Sequence, residues 1–414
     1  MELRRAVITG LGTINPLANN MAGFWAAACR GQSGVGHISH FDAGAFRTRI
    51  GAEVKDFRPD ELLGAREAKR LDRYAQFALA AAMEAITDSG IELSIAASER
   101  TAVVVGTGVG GMGVFEEECR KYQQVGPART SPFLVPRIMP NAAAAAISIH
   151  FGFKGPCLSV SSACASATDA IATARDLIRT GRNEVVLAGG AEAALTPLGL
   201  AGFCAARSLS ERNGAPQAAS RPFDLDRDGF VLGEGAGILV LEEYEHARRR
   251  GALVYCEVAG SGQTADAHHM TAPDPDGRGA ADAMRMAMAD AGVSPNDVQY
   301  LNAHATSTSL GDLAEATAIR AAFGAGADRL AVSCTKSLIG HLCGASGSGS
   351  VAAAALAMTI RHGVIHPTIN CDTPDPACTF DIVPCMAREA KVKVAMLNSF
   401  GFGGHNSSLV LSAV

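Results

Sequence analysis

The sequence predicts an α/β protein made of two comparable parts, and three observations carry that expectation. Short apolar strands alternate with long Ala-rich helices. The chain has 414 residues, more than one ordinary core accommodates. A charged stretch around Glu243–Gly251 divides the chain, and each part opens with a strand ending in Gly-x-Gly: Gly10-Leu11-Gly12 and Gly260-Ser261-Gly262. That pairing is a faint sign of internal duplication.

Taken in order, the first strand is Arg5–Thr9, an apolar run into a glycine turn. Helix Ala68–Ser89 follows, then strand Thr101–Val105. In helix Ala165–Thr180 the apolar residues Ala170, Ile171, Ala174, Leu177 and Ile178 share one face, and Gly181 and Asn183 stop it. Strands Glu184–Ala188 and Gly237–Leu241 close the first part. The second part reads as strand Val254–Val258, helix Gly279–Ala291, strand Val298–Asn302, helix Leu313–Phe323, strand Leu330–Ser333 and helix Ser348–Arg361.

Composition narrows the function classes. Apolar residues make up 48% and charged residues 19%, which excludes a disordered chain. A net charge of -5 argues against a nucleic-acid partner. Eleven cysteines without CxxC pairs suit a reducing compartment, so a cytoplasmic location is expected. The N-terminus lacks the apolar core of a signal peptide, and no run of 18 uninterrupted apolar residues predicts a membrane span.

Several motifs resemble sites without completing them. Gly106-Thr107-Gly108-Val109-Gly110-Gly111 fits G-x-G-x-x-G, but the acids Glu116, Glu117 and Glu118 come too early to hold a ribose, so a tight turn is expected. The run Asp224–Gly229 opens like a calcium loop, yet the twelfth position is Gly235 rather than Glu. Asp266, His268 and His269 lack a second cluster, which predicts a polar loop and no metal. Cys371, Cys378 and Cys385 recur at intervals of seven residues, but Pro374, Pro376 and Pro384 interrupt any helix between them.

One constellation carries chemistry. Cys164 lies in Ser161–Ala167, directly ahead of a helix, where the helix dipole and free N–H groups favour a thiolate. His304 closes the strand segment Val298–His304 and precedes the hydroxyl-rich Thr306-Ser307-Thr308. His341 closes a second strand-and-loop segment, Ser333–His341. A cysteine and two histidines, each at the edge of an element, form a nucleophile with two candidate partners.

The stretches around Cys164, Asn302–Thr308, Thr335–His341 and Asn398–Gly404, with Ser220–Asp224 and Asp228–Ala236, resemble the β-ketoacyl-[acyl carrier protein] synthases. The similarity is greatest to the type II elongating enzymes of fatty-acid synthesis, and it runs through the whole chain in order. It implies the thiolase fold, a five-layer αβαβα sandwich of two pseudo-duplicated halves. Residues 1–250 would carry the cysteine, and residues 251–414 both histidines and a gating loop.

By this resemblance Cys164 takes the acyl chain, while His304 and His341 bind the malonyl thioester and promote loss of CO₂. The N–H groups of Cys164 and Phe402 would form the oxyanion hole, with Phe402 and Phe400 in the gate. Lys336 and Glu315 would support the histidines as a pair. Thr306, Thr308 and Thr271 would hold the pantetheine arm, and Val109 and Phe203 would line the acyl pocket. Arg66, Lys69, Arg70 and Arg207 would receive an acidic acyl carrier protein. The resemblance further implies a homodimer, or a heterodimer with a chain-length partner, and no cofactor, since CO₂ release drives the condensation. Ala305, Ser309, Ser350 and His405 depart from the family pattern of Gly, Pro, Glu and Thr, and leave a type II polyketide ketosynthase as the alternative. A CoA-dependent thiolase fits less well, because it pairs its nucleophile with one His and a second Cys. A non-catalytic chain-length subunit would lack Cys164.

Overall fold

A computed structural model describes residues 3–92, 94–345 and 349–414. Five strands of the first part are β1 (Ala6–Ile14), β2 (Thr101–Gly106), β3 (Cys157–Val160), β4 (Val185–Glu192) and β5 (Gly235–Glu243). They lie in the order β1-β5-β4-β2-β3, antiparallel across β1-β5 and β5-β4 and parallel beyond. The second part supplies β6 (Cys256–Ala265), β7 (Tyr300–Asn302), β8 (Ala331–Ser333), β9 (Asp381–Ile382), β10 (Val394–Gly401) and β11 (His405–Ser412). Their order, β6-β11-β10-β7-β8-β9, repeats the same sequence of antiparallel and parallel pairings. Two residue pairs, Val7 with Glu257 and Ile8 with Cys256, join β1 to β6 and make one continuous 11-stranded sheet.

The helices complete the layers. On the outer face of the first half lie α1 (Arg73–Ser89) and α3 (Ala142–Phe151), with α2 (Met112–Val125) between them in the chain. Between the two halves lie α4 (Ser166–Arg179) and α7 (Val351–His362); α5 (Arg278–Ala291) and α6 (Ser309–Phe323) cover the second half. The strands alternate with period two, so each half of the sheet feeds two cores. Val104 joins the central core with Ala170, Ile171 and Leu356, while Val103 and Val105 meet Phe77 and Ala81 outside. Likewise Leu409 and Leu411 face the central layer, and Val410 packs outward on Met284 and Ile319.

The duplicated Gly-x-Gly has a steric cause. A Cβ on Gly10 or Gly12 would lie 2.2 or 2.0 Å from the carbonyl oxygens of Ala85 and Ala81 on α1. A Cβ on Gly260 or Gly262 would lie 2.2 or 2.1 Å from those of Ala287 and Ala283 on α5. Each glycine pair therefore lets a helix backbone seat directly on its strand.

Several element bounds differ from the sequence reading. The expected helix Ala68–Ser89 is two pieces: Ala65–Ala68 ends, the chain turns, and the Asp72 side chain caps α1 by accepting from Tyr74 N–H at 3.1 Å. The strand expected at Val254–Val258 starts at Cys256 and runs to Ala265, because β11 pairs along that length. Helix α6 begins four residues early, at Ser309, where Thr308 accepts from Gly311 N–H at 3.2 Å. Helices α2 and α3 have no counterpart among the helices expected from the sequence. Ser348, the expected start of the last helix, lies outside the described residues, as do Ser346 and Gly347. Among the described residues no helix is long and apolar enough to cross a membrane.

Candidate active site

Cys164 stands in a single 3₁₀ turn, Ala163–Ala165, between β3 and α4. Ala163 takes φ +51, a left-handed conformation that a non-glycine residue adopts only when its surroundings enforce it. Ser166 Oγ supplies part of that enforcement, donating to Ala163 O at 2.6 Å and accepting from Ser162 N–H at 2.9 Å. The end of β10 presses on the same turn. A Cβ on Gly401 would lie 3.0 Å from Cys164 N and 2.8 Å from Ser162 O, so glycine is required there.

Both histidines meet the sulfur's surroundings from the second half. His341 Nε2 is 3.0 Å from Cys164 Sγ. The His304 ring stands perpendicular to the His341 ring with centroids 5.7 Å apart, and Phe230 and Phe400 pack against His341 and His304 at 5.3 and 5.6 Å. The His304 segment leaves β7 through strained residues, Ala305 at φ +20 and Ser307 at φ +71. Glu315 holds it, accepting from the N–H of His304 at 2.9 Å and of Ala305 at 2.6 Å. Asn398 Nδ2 donates to the same carboxylate at 3.1 Å. Lys336 Nζ donates to the carbonyl of His304. The expected Lys336–Glu315 pair thus acts through one peptide: no ion pair within 4 Å joins the two side chains, and they grip the His304 main chain from opposite ends.

The electrostatics differ from the helix-start argument. Burial pushes the Cys164 thiol up to about 11; the Lys336 charge and the N–H groups of Phe402 and Cys164 oppose this without overcoming it. Burial, reinforced by Lys336, holds both His304 and His341 well below the ordinary histidine value. At neutral pH the site therefore contains a thiol facing a neutral imidazole, which can accept its proton directly. Among the described residues His341 Nδ1 is buried without a hydrogen-bond partner. Burial also pulls Lys336 down and pushes Glu315 up.

Cys164, His304, His341 and Glu315 line a cavity of about 420 Å³. Val109 and Phe203 line it, Phe203 packing edge-to-face on Phe230 at 5.4 Å. Phe400 and Phe402 line it as well, and Phe402 is followed by Gly403 and Gly404 at φ +88 and +76. Thr306 and Thr308, with hydroxyls 3.1 Å apart, share the cavity with the exposed Thr271. Arg207 also lines it and is exposed at φ +52. Arg66, Lys69 and Arg70 do not reach the cavity; they are exposed around the short helix Ala65–Ala68, with the Arg70 guanidinium 5.5 Å from the Phe133 ring centre.

The structure also resolves the incomplete motifs. Helix α2 does follow the glycine-rich turn at 106–111, but the turn's N–H groups point at the internal carboxylate of Glu192. Asp224 accepts from Arg221 Nε and from the N–H groups of Asp226, Asp372 and Thr373, a turn network rather than a calcium loop. His269 Nδ1 accepts from Thr271 and Ala272 N–H, and no metal-binding cluster occurs among the described residues. Of the family departures, Ser350 is buried with Oγ 3.3 Å from Ala345 O, Ser309 opens α6, and His405 is exposed at the start of β11.

Sequence reasoning assigned no site role to three further residues. Phe230 packs on His341, Cys343 lines the cavity, and the charge of buried Glu192 raises the thiols of both Cys164 and Cys343. Phe230 lies within the matched stretch Asp228–Ala236, which could have flagged it, whereas no local pattern marks Cys343 or Glu192 and only tertiary folding brings them to the site.

Comparison with known proteins gives a consistent picture. Residues 3–247 match the Beta-ketoacyl synthase N-terminal domain, and residues 255–372 match the Beta-ketoacyl synthase C-terminal domain. The chain is 46% identical to a 3-oxoacyl-[acyl-carrier-protein] synthase 2 of Coxiella burnetii over 100% of both chains. It is 45% identical to one of Vibrio harveyi over 100% of both, and 44% identical to one of Staphylococcus aureus over 98% of both. Among solved structures, a type II polyketide ketosynthase in complex with its acyl-carrier protein superposes with a TM-score of 0.92 at 34% identity, covering 100% of both chains. The ishigamide ketosynthase/chain length factor gives 0.92 at 33% identity over 100% of both chains. A Beta-ketoacyl synthase from Burkholderia phymatum gives 0.92 at 34%, covering 99% of this chain and 100% of that one.

Proposed function

The chain belongs to the β-ketoacyl synthase family, and from that premise we propose that it condenses malonyl-ACP with an acyl chain held on Cys164, in fatty-acid elongation. The observation that carries the reading is the 3.0 Å approach of His341 Nε2 to Cys164 Sγ, with His304 perpendicular beside it in one cavity. In the first step the thiol attacks an acyl-carrier thioester while His341 accepts its proton; the carrier–acyl bond breaks and His341 passes that proton to the departing carrier sulfur, which leaves as a thiol, so that the imidazole is neutral again. In the second, malonyl-carrier loses CO₂, and the negative charge gathers on its thioester oxygen, where N–H donors from two neutral imidazoles would stabilise it. The resulting carbanion attacks the acyl-cysteine carbonyl, a new C–C bond forms, and the Cys164–acyl bond breaks. N–H groups of Cys164 and Phe402 converge on the sulfur and suit the oxyanion of both acyl transfers.

The same proposal assigns the remaining residues. Thr306, Thr308 and Thr271 would bind the pantetheine arm, Val109 and Phe203 the acyl chain, and Phe400 and Phe402 would gate between them. Arg207 at the cavity, with Arg66, Lys69 and Arg70, offers positive charge to an acidic carrier. The halves 1–250 and 251–414 would divide the labour between nucleophile and histidines. A homodimer through β3 is proposed, because this edge strand is exposed and Leu158 on it is 41% exposed. A cytoplasmic site suits eleven cysteines that are all free thiols. A polyketide ketosynthase, alone or with a chain-length partner, is the second reading; it draws on the 0.92 TM-scores but on 33–34% identity, against 44–46% for the synthase 2 relatives.

The test supplies purified protein with acyl- and malonyl-carrier and follows CO₂ and product by mass spectrometry. Cys164→Ala should take up no acyl group. His304→Ala and His341→Ala should still acylate but condense slower by about 10²-fold or more. Undiminished condensation by Cys164→Ala would sink the mechanism.

A further inference from the structure

We propose that Glu192 is a positioning residue of the condensing site: its carboxylate straps the Val109 wall of the acyl pocket to the turn that follows His341. The inference rests on Cys164 being the acyl-carrying nucleophile. Glu192 ends β4, is fully buried, and forms no ion pair within 4 Å with any described residue. Its Oε1 accepts from Thr107 Oγ at 3.0 Å and Val109 N–H at 3.4 Å; its Oε2 accepts from Gly108 N–H at 2.7 Å and Gly344 N–H at 2.9 Å. Thr107–Val109 comes from the first half and Gly344 from the second, three residues after His341. One carboxylate therefore closes the two halves around the nucleophile.

The surrounding glycines make this strap possible. A Cβ on Gly344 would lie 2.0 Å from Gly108 N and 2.7 Å from Glu192 Oε2, and one on Gly108 would lie 2.9 Å from the same oxygen. The turn that resembles a nucleotide loop is thus an anion nest whose anion belongs to the protein. The strap continues to the nucleophile, since Ser166 Oγ, which fixes the Cys164 turn, lies 3.4 Å from Thr107 O. The titratable groups facing Glu192 are Tyr74 on α1, Cys164, and Cys343, and burial raises all three, leaving them neutral at pH 7. Burial pushes Glu192 itself up to about 7 against its four donors, and its negative charge raises the Cys164 thiol.

Replacing the carboxylate by an amide removes the charge and turns one acceptor into a donor aimed at N–H groups. Glu192→Gln should then do two things that a general loss of packing would not. Acylation of Cys164 by a long-chain carrier should fall about tenfold relative to a two-carbon donor, the scale of losing one hydrogen bond to a charged group. The midpoint of Cys164 alkylation by iodoacetamide should move to lower pH, because the neighbouring negative charge is gone. Thr107→Val removes one donor at nearly constant volume and should give the same selectivity change at smaller size, which keeps the test open if Glu192→Gln folds poorly. An unchanged long-to-short ratio in both variants, or an equal loss for all donors with an unmoved alkylation midpoint, overturns the proposal. Wild-type protein that takes no acyl group overturns the acyl-cysteine reading itself, and this one with it.

Discussion

At the residue scale the site is governed by burial. A cysteine at a helix start is ordinarily a candidate thiolate, yet here desolvation outweighs the Lys336 charge and the N–H groups. The thiol therefore faces His341 Nε2 at 3.0 Å, and in the proposed mechanism the protonation state of His341 sets its reactivity. Lys336 helps hold His341 below the ordinary value by repelling the imidazolium. Removing that charge in Lys336→Ala should raise the His341 pKa toward the unperturbed ~6.5. In the proposed mechanism acylation uses the neutral imidazole, so its acid limb should move to higher pH, and a pH–rate profile of acyl-enzyme formation checks this. An acid limb in the wild-type position would mean that Lys336 acts only on the His304 peptide. Cys164, His304 and His341 were legible as edge residues of predicted elements. Glu192 was not, because its meaning depends on Gly344, 152 residues away.

At the element scale, close helix–strand seating decides which substitutions the fold tolerates. Gly12→Ala would drive a methyl to 2.0 Å from the Ala81 carbonyl and should destabilise the protein by about 1–3 kcal/mol or more. Gly202, in the helix Pro197–Ala205, has nothing within 4 Å of a built Cβ. Gly202→Ala should stabilise by about 0.5–1 kcal/mol through helix propensity and a less flexible unfolded chain. Urea unfolding of the two variants beside the wild type measures both signs. The sequence announced the Gly-x-Gly pairs because both parts carry them after an apolar run, but the structure places them inside β1 and β6 rather than at strand ends. It misplaced the boundaries of α1 and β6, where a capping side chain and a partner strand set the limits rather than local propensity.

At the scale of the whole molecule, one strand order occurs twice and the cavity sits where the two halves meet. The exposed edge β3 is the open side of this arrangement. If it pairs across a two-fold axis, Leu158→Asp should convert a dimer to a monomer in sedimentation velocity, while a wild-type monomer would discard that interface. The amino-acid sequence by itself determined the α/β class and the duplication, and singled out Cys164, His304 and His341 as the candidate set that the structure brings together. Periodicity, glycine punctuation and residue type are local properties, and the chain order of its motifs carries the family. Only the tertiary structure decided that the thiol starts protonated, that Lys336 and Glu315 share one peptide, and that a loop shaped for phosphate holds Glu192. Each of those outcomes depends on desolvation and on distances between segments far apart in the chain, which no window of sequence contains.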